Sequence, residues 1–272
     1  MKILFIGDVV GKTGRDAIAE HLPGLRDQLD LDFVIVNGEN AAHGFGITDK
    51  ICASFYQLGA DVITTGNHVW DQREIMNYIG GDPKLLRPLN YPDGTPGSGF
   101  GLFEGRNGKK VLMIHAMGRL FMDPLDDPFA GVEQVLAKHK LGADVQAILV
   151  DFHCEASSEK LAMGHILDGR VSAVVGTHTH VPTSDHQILV GGTAYQTDLG
   201  MTGDYDSVIG MKKGTAVDRF VKKTPGTRLE PADGEATLCG VLLETDDDTG
   251  LAREITAVRL GGRLAESQPG LS

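Results

Sequence analysis

Val171-Ser172-Ala173-Val174-Val175-Gly176-Thr177-His178-Thr179-His180 is the stretch whose reading decides the fold. A short apolar, β-branched run breaks off at a glycine and delivers two histidines spaced i, i+2. Packing alone does not call for that pair, because at least one buried imidazole must find polar partners. The same plan recurs upstream. Ile3–Ile6 runs into Gly7-Asp8, Phe33–Val36 into Asn37-Gly38-Glu39-Asn40, and Val62–Thr65 into Gly66-Asn67-His68. Val111–Ile114 runs into His115, and Ala147–Val150 into Asp151-Phe152-His153. Continuous apolar runs of this length suit strands buried on both faces. Helical spacing lies between them, over Thr13–Gln28, Thr48–Leu58, Phe129–His139 and Ser157–Leu167, the last with Ser157 or Ser158 placed to cap it. Strand–helix alternation predicts parallel strands with helices on the outer faces.

The last third reads differently. Ile188–Val190 and Thr193–Thr197 flank Gly191-Gly192 as a hairpin, and Thr237–Glu244 and Glu254–Leu260 flank an acidic turn at Asp246–Gly250. These predict antiparallel strands closing a sheet, with a helix near Thr215–Lys222. Asp82–Gly101, rich in Pro and Gly, reads as a long surface loop, and the small, polar tail after Leu260 as frayed. No repeat, low-complexity block or linker divides the chain, so one domain over residues 1–272 is expected. The 36 glycines, about twice the usual share of ~7%, suit an α/β fold with many tight loops.

The net charge of −12 argues against tight, sequence-independent nucleic-acid binding, which needs many Lys and Arg contacts to phosphates. It leaves a small nucleotide or other phosphoester substrate open, since bound metal ions reverse the local field. Three scattered cysteines, Cys52, Cys154 and Cys239, form neither a disulfide framework nor a CxxC site. The chain enters a strand at once, without a signal-peptide pattern, and no apolar run reaches the roughly 20 residues of a membrane helix. A soluble, cytoplasmic protein without membrane partners is the expectation, and a homo-oligomer is compatible with it.

In open α/β sheets ligands bind at the carboxyl ends of strands, so polar residues far apart in sequence converge there. Each has a bland alternative. Asp8 could cap the following helix, Gly38-Glu39-Asn40 could be a turn, and His153 could be a satisfied buried histidine. Together they supply Asp, Glu, Asn and His, a mixed oxygen and imidazole set that suits Mn, Fe or Zn and not a thiolate site. Lys12 and Arg15 look like a fragment of a phosphate loop, but Asp8 directly after Gly7 would put negative charge at the phosphates.

The ordered set resembles the calcineurin-like metallophosphoesterases, through Gly66-Asn67-His68, His153 and Thr177-His178-Thr179-His180. It departs from their pattern where Asp8 lacks a following His and where Glu39, followed by Asn40, replaces the bridging Asp. Those departures are similar to the YmdB family of bacterial phosphodiesterases. The resemblance runs through Gly7-Asp8-Val9-Val10-Gly11-Lys12, Asn37-Gly38-Glu39-Asn40-Ala41-Ala42, Gly66-Asn67-His68-x-Trp70-Asp71, Asp151-Phe152-His153-x-Glu155, Gly176–Asp185, Asp198-x-Gly200-Met201 and Val208–Lys213.

The resemblance implies an α/β, calcineurin-like four-layer α/β/β/α sandwich with two mixed sheets and a metal site at strand C-terminal ends. It also implies hydrolysis of cyclic nucleotides, notably 2′,3′-cyclic nucleoside monophosphates. Carried over by position, it puts Asp8, Glu39, Asn40 and His180 on one divalent ion and Glu39, Asn67, His153 and His178 on a second, with Glu39 bridging. The extra oxygen ligands favour Mn or Fe over Zn, with Mg also less favoured. A metal-bridging hydroxide would attack phosphorus in line, with His68 as general acid and Asp71 as a candidate to orient it. A broad phosphomonoesterase, or a regulatory protein that retains the metal pair to bind nucleotides or partners, is the alternative. Arg119, His43, Glu155, Ser158 and Lys160 are weaker site candidates, each explicable as loop or surface residues; His115, which ends a strand, is another, and Trp70 is read as core in preference to a base-stacking platform.

Overall fold

Alternation along β1 (Lys2–Ile6) sets the layers: Ile3 and Phe5 enter one core and Leu4 and Ile6 another, all four buried. The computed structural model describes residues 1–106, 108–222, 226 and 228–267. After β1 come α1 (Gly11–Gln28), β2 (Phe33–Asn37), α2 (Asp49–Leu58), β3 (Val62–Thr64), α3 (Ile75–Tyr78) and β4 (Leu85–Leu86). The second half follows with β5 (Phe100–Glu104), β6 (Lys110–Met117), α4 (Pro128–Leu136), β7 (Ala147–His153), α5 (Ser157–Leu167) and β8 (Ala173–Thr177). It closes with β9 (Gln187–Ile188), β10 (Ala194–Gln196), β11 (Gly203–Asp204), α6 (Lys213–Val221), β12 (Ala236–Thr245) and β13 (Ala252–Leu260).

One sheet has the order β11-β12-β1-β2-β3-β4, with β13 on β12; the other runs β5-β6-β7-β8-β10-β9. Both are mixed. β1-β2-β3-β4 and β6-β7-β8-β10 pair in parallel, while β12, β13, β5 and β9 pair antiparallel. The sheets face each other across Ile3, Phe5, Phe33, Ile35, Met113, Leu149 and Val241. The first sheet's outer face packs on α1 and α2 through Leu4, Val36, Ile18, Leu22 and Phe55, and the second's on α4 and α5 through Ile114, Val150, Val132, Met163 and Leu167. Each such buried side chain contributes about 1.5–3 kcal/mol. The result is the α/β/β/α sandwich of the calcineurin-like fold.

Several sequence expectations need correction. Asp82–Gly101 is not all loop. Leu85 and Leu86 pair with Ile63 and Thr64 as an edge strand, and Arg87 is buried with its guanidinium donating to the carbonyls of Pro88, Thr95 and Pro96. Prolines there satisfy a buried cation that composition hides. Neither Ser157 nor Ser158 caps α5: the cap position is Ala156, so both serines lie inside the first turn. The strand expected from Val171 is β8, which begins at Ala173 and carries through to Thr177. The tail is held to residue 267, where Ser267 and Arg259 exchange backbone hydrogen bonds and Arg263 N–H donates to Thr237 Oγ1; residues 268–272 lie outside the described residues. The three cysteines are free and buried. No helix among the described residues is long and apolar enough to cross a membrane.

Candidate metal centre and active site

Parallel pairing of β1, β2 and β3, and of β7 and β8, brings five strand ends to one edge of the sandwich. Asp8, Glu39, Asn40, His153 and His180 are buried there, and His178 is half-buried. Two sets of ligand atoms converge: Asp8, Glu39 and His180 form one, and Glu39, His153 and His178 the other. Glu39 belongs to both. Asn67 Oδ1 lies 3.0 Å from His153 Nε2, and Asn40 Nδ2 lies 3.0 Å from both Glu39 Oε1 and His180 Nε2. All seven residues named from the sequence thus meet in one place. Asp8 does not cap α1, whose cap position is Val10; its Oδ2 accepts the His178 N–H at 3.2 Å.

Hydrogen bonds fix which ring nitrogen faces the centre. Thr177 Oγ1 donates its single proton to Asp151 Oδ1 (2.7 Å), so its contact with His153 Nδ1 (2.9 Å) must be an N–H donated by the imidazole. His153 Nε2 is therefore turned toward Glu39 and Asn67. His180 Nδ1 donates to the Ile209 carbonyl at 2.8 Å, which turns Nε2 inward. His178 is the reverse: Nε2 lies 3.3 Å from Glu155 Oε2, and Nδ1 faces His153 Nε2 at 3.1 Å. Metal-ligating histidines characteristically hold their outer N–H on a carboxylate, hydroxyl or carbonyl in this way. Asp151 itself also accepts from Asn37 Nδ2, and His115 packs behind His153 with ring centroids 6.3 Å apart.

Electrostatics shows what this donor set lacks. Burial raises the Asp8 carboxyl to about 7, against the lowering pull of His180 and His153. Burial also opposes the charged forms of Glu39 and His153, but their mutual attraction wins, holding Glu39 below its usual range and lifting His153 to about 9. His178 is pushed down to about 3 by burial and then by the neighbouring His153 charge. Among the described residues, Asp8 Oδ1 is buried with no hydrogen-bond partner. Lone pairs and carboxylates crowd together and share too few protons, which is the environment a pair of cations would neutralise. Gly66 permits the crowding, because a side chain there would collide with the Glu39 carboxylate and the His153 ring. The residues therefore fit a dinuclear site.

The His178 and His180 backbones stand at φ of +102° and +66°, uncommon for residues with a Cβ. A buried ion pair holds the loop between them. Lys160 Nζ lies 2.7 Å from Asp198 Oδ2, which also accepts the Thr179 N–H at 3.0 Å, while Asp198 Oδ1 accepts from Gly200 N at 2.8 Å. Lys160 is thus a buried support and not a surface charge of the helix start.

His68 sits at the rim. Its Nδ1 contacts Asp71 Oδ2 at 2.9 Å, its backbone N–H donates to Glu39 Oε2 at 3.3 Å, and its ring meets Phe45 edge-on. Trp70 packs on the core and edge-on to Tyr91. Arg119 reaches Asp127, Lys12 pairs with Asp16, Arg15 donates to the Ala41 carbonyl, and His43 is exposed. Sequence reasoning missed Thr177, Asp151 and the Ile209 carbonyl. The signal for Asp151 was available: it is two residues before His153 on a strand and so shares its face. The Ile209 carbonyl has no sequence signal.

Residues 4–258 match the profile of the YmdB-like protein family. The chain is 50% identical over 258 residues to the Bacillus subtilis 2′,3′-cyclic-nucleotide 2′-phosphodiesterase, covering 95% of this chain and 96% of that one. A solved Thermus thermophilus structure, of a hypothetical protein, superposes with a TM-score of 0.90 at 43% identity, over 97% of this chain and all of the other. A solved Mycoplasma pneumoniae structure, described as a novel phosphatase, gives 0.89 at 34% identity, over 99% and 95% of the two chains.

Proposed function

This chain belongs to the YmdB-like protein family, and from that premise we propose that it is a dinuclear metal-dependent phosphodiesterase opening the ring of 2′,3′-cyclic nucleoside monophosphates. The observation that carries the reading is Glu39, the one carboxylate common to two clusters of ligand atoms. Asp8, Glu39, Asn40 and His180 would hold one ion; Glu39, Asn67, His153 and His178 the other. Seen from the first cluster, three oxygen donors to one imidazole favour Mn or Fe. A metal pair held there supplies positive charge to phosphoryl oxygens and lowers the pKa of a water.

The chain's own groups do the rest. Net hydrolysis adds one water across the P–O2′ bond, leaving a 3′-phosphomonoester and a 2′-hydroxyl. The ribose oxygen leaves with a bond to hydrogen, and His68 is the group at the rim placed to give that proton. Asp71 accepts from its Nδ1, so it fixes the ring's orientation and leaves Nε2 to face substrate. Thr177, Glu155 and the Ile209 carbonyl keep the three ligand imidazoles in the orientation described.

The support is the identity with the B. subtilis phosphodiesterase together with this geometry. The phosphatase description of the M. pneumoniae structure favours a second reading, a broad phosphomonoesterase. Turnover of 2′,3′-cyclic AMP beside p-nitrophenyl phosphate, with added Mn²⁺, separates them. The diesterase reading expects the cyclic ester to be opened, and turnover of the monoester alone would sink it.

A further inference from the structure

A cavity of about 230 Å³ opens directly off the metal-ligand cluster. Glu39, Asn40, His68, His178 and His180 lie on one side of it. Its other walls are apolar: Phe45, Ile209, Met211, Ala216, Phe220 and Leu229. α6 supplies much of that wall and is anchored by Ala216, which packs with Val10, Met201 and Met211 in a small core of its own. Phe220, one turn on, stays 75% exposed, and Ile209 is 53% exposed. Ile209 also holds φ at +46°, a costly conformation for a β-branched residue. That strain places its carbonyl on His180 and keeps its side chain at the cavity. Among the described residues, Arg219 is the one Lys or Arg lining the cavity, and its side chain makes no ion pair or hydrogen bond with them.

We propose that this cavity is the nucleoside subsite, in which α6 holds the base of the substrate: Phe220, Phe45 and Leu229 sandwich the ring and Arg219 donates to its polar edge. The proposal rests on the phosphodiesterase reading above. Its occupant follows from continuity. A substrate whose phosphate sits at the ligand cluster has this adjoining space for its next group, and among the described residues that space is lined by apolar side chains and one unpaired cation, Arg219. A base has two apolar faces and acceptor atoms on its rim, so it satisfies both. The volume lies below the ~300–1,000 Å³ of sites for drug-sized ligands, which suits one ring system and not a polymer. The remainder of a 2′,3′-cyclic mononucleotide, the ribose and the cyclic phosphate, then spans from the slot to His68.

Two cyclic esters test this, with Mn²⁺ present throughout: 2′,3′-cyclic AMP and glycerol 1,2-cyclic phosphate, which has the same five-membered phosphodiester and no base. Phe220→Ala and Arg219→Ala should each lower kcat/KM for the nucleotide, mainly through KM. Loss of base stacking in Phe220→Ala is expected to cost about 5- to 150-fold, with Phe220→Tyr restoring it. Hydrolysis of the glycerol ester should be unchanged. Equal loss on both esters, or on neither, overturns the assignment.

If the wild type opens neither ester, the phosphodiesterase reading fails by itself. The slot is then read by calorimetry with adenosine 3′-monophosphate: weaker binding by Phe220→Ala upholds it, and identical binding removes it. Conversion of a dimer to a monomer by Phe220→Ala, with nucleotide affinity intact, would make this face a contact between copies of the chain and overturn the proposal.

Discussion

Asp198→Asn is the substitution whose consequences the structure specifies most fully. Lys160 is 1% exposed and Asp198 fully buried, and the ammonium lies 2.7 Å from the carboxylate. Converting the carboxylate to an amide leaves a buried cation without a counter-charge, which costs about 3–5 kcal/mol. Lys160→Met should cost less, because the carboxylate keeps the N–H groups of Thr179 and Gly200. In Lys160→Met/Asp198→Asn no isolated charge remains, so the double variant should be more stable than Asp198→Asn alone, a large departure from additivity. Urea unfolding at one fixed free-metal concentration measures this, since bound metal itself adds apparent stability. The same change slackens the loop that presents His178 and His180 at positive φ, so metal affinity should fall about 10–100-fold. Single variants within about 0.5 kcal/mol of wild type, as for ordinary surface changes, or a double variant equal to their sum, would refute the support assigned to this pair.

Other outcomes follow from the geometry. His68→Ala should lower hydrolysis of 2′,3′-cyclic AMP by roughly 10²–10⁴-fold with metal content retained; parallel loss of metal would place His68 among the ligands. Glu155→Gln should weaken metal binding about 10-fold by loosening His178, and an unaltered affinity in a metal titration would detach Glu155 from that role. Gly66→Ala drives a methyl group into the Glu39 carboxylate and the His153 ring. Overpacking of this kind costs about 1–3 kcal/mol, and both metal content and turnover should drop; a fully loaded, active Gly66→Ala enzyme would contradict the close approach.

The strands that carry the proposed ligands were legible because each is an apolar run that stops at a polar residue, a pattern written locally. β1, β2, β3, β7 and β8 were all visible this way; parallel pairing aligns their ends within each sheet, and the packing of the two sheets on each other then brings Asp8 and His180 together. The edge strand at Leu85–Leu86 was hidden because two residues carry no periodicity and sit among prolines. Lys160 was ambiguous for a related reason: a lysine at a helix start reads as solvated, and only the sheet beneath it reveals Asp198 within reach. The residues proposed as ligands could be named from side-chain type, but what orients them could not. Thr177 lies opposite His153 across the β7–β8 ladder, and the Ile209 carbonyl belongs to the backbone, so both depend on register and loop path. The α6 wall of the cavity was likewise expected as a helix, near Thr215–Lys222, without any sign of what it faces.

Metal stoichiometry of purified wild type and Glu39→Ala tests the shared-carboxylate site most directly. Two divalent ions per chain are expected in the wild type, and loss of both in Glu39→Ala, because each cluster of ligand atoms loses the same carboxylate. One ion or none in metal-replete wild type, or unchanged content in Glu39→Ala, would contradict a dinuclear centre built on Glu39.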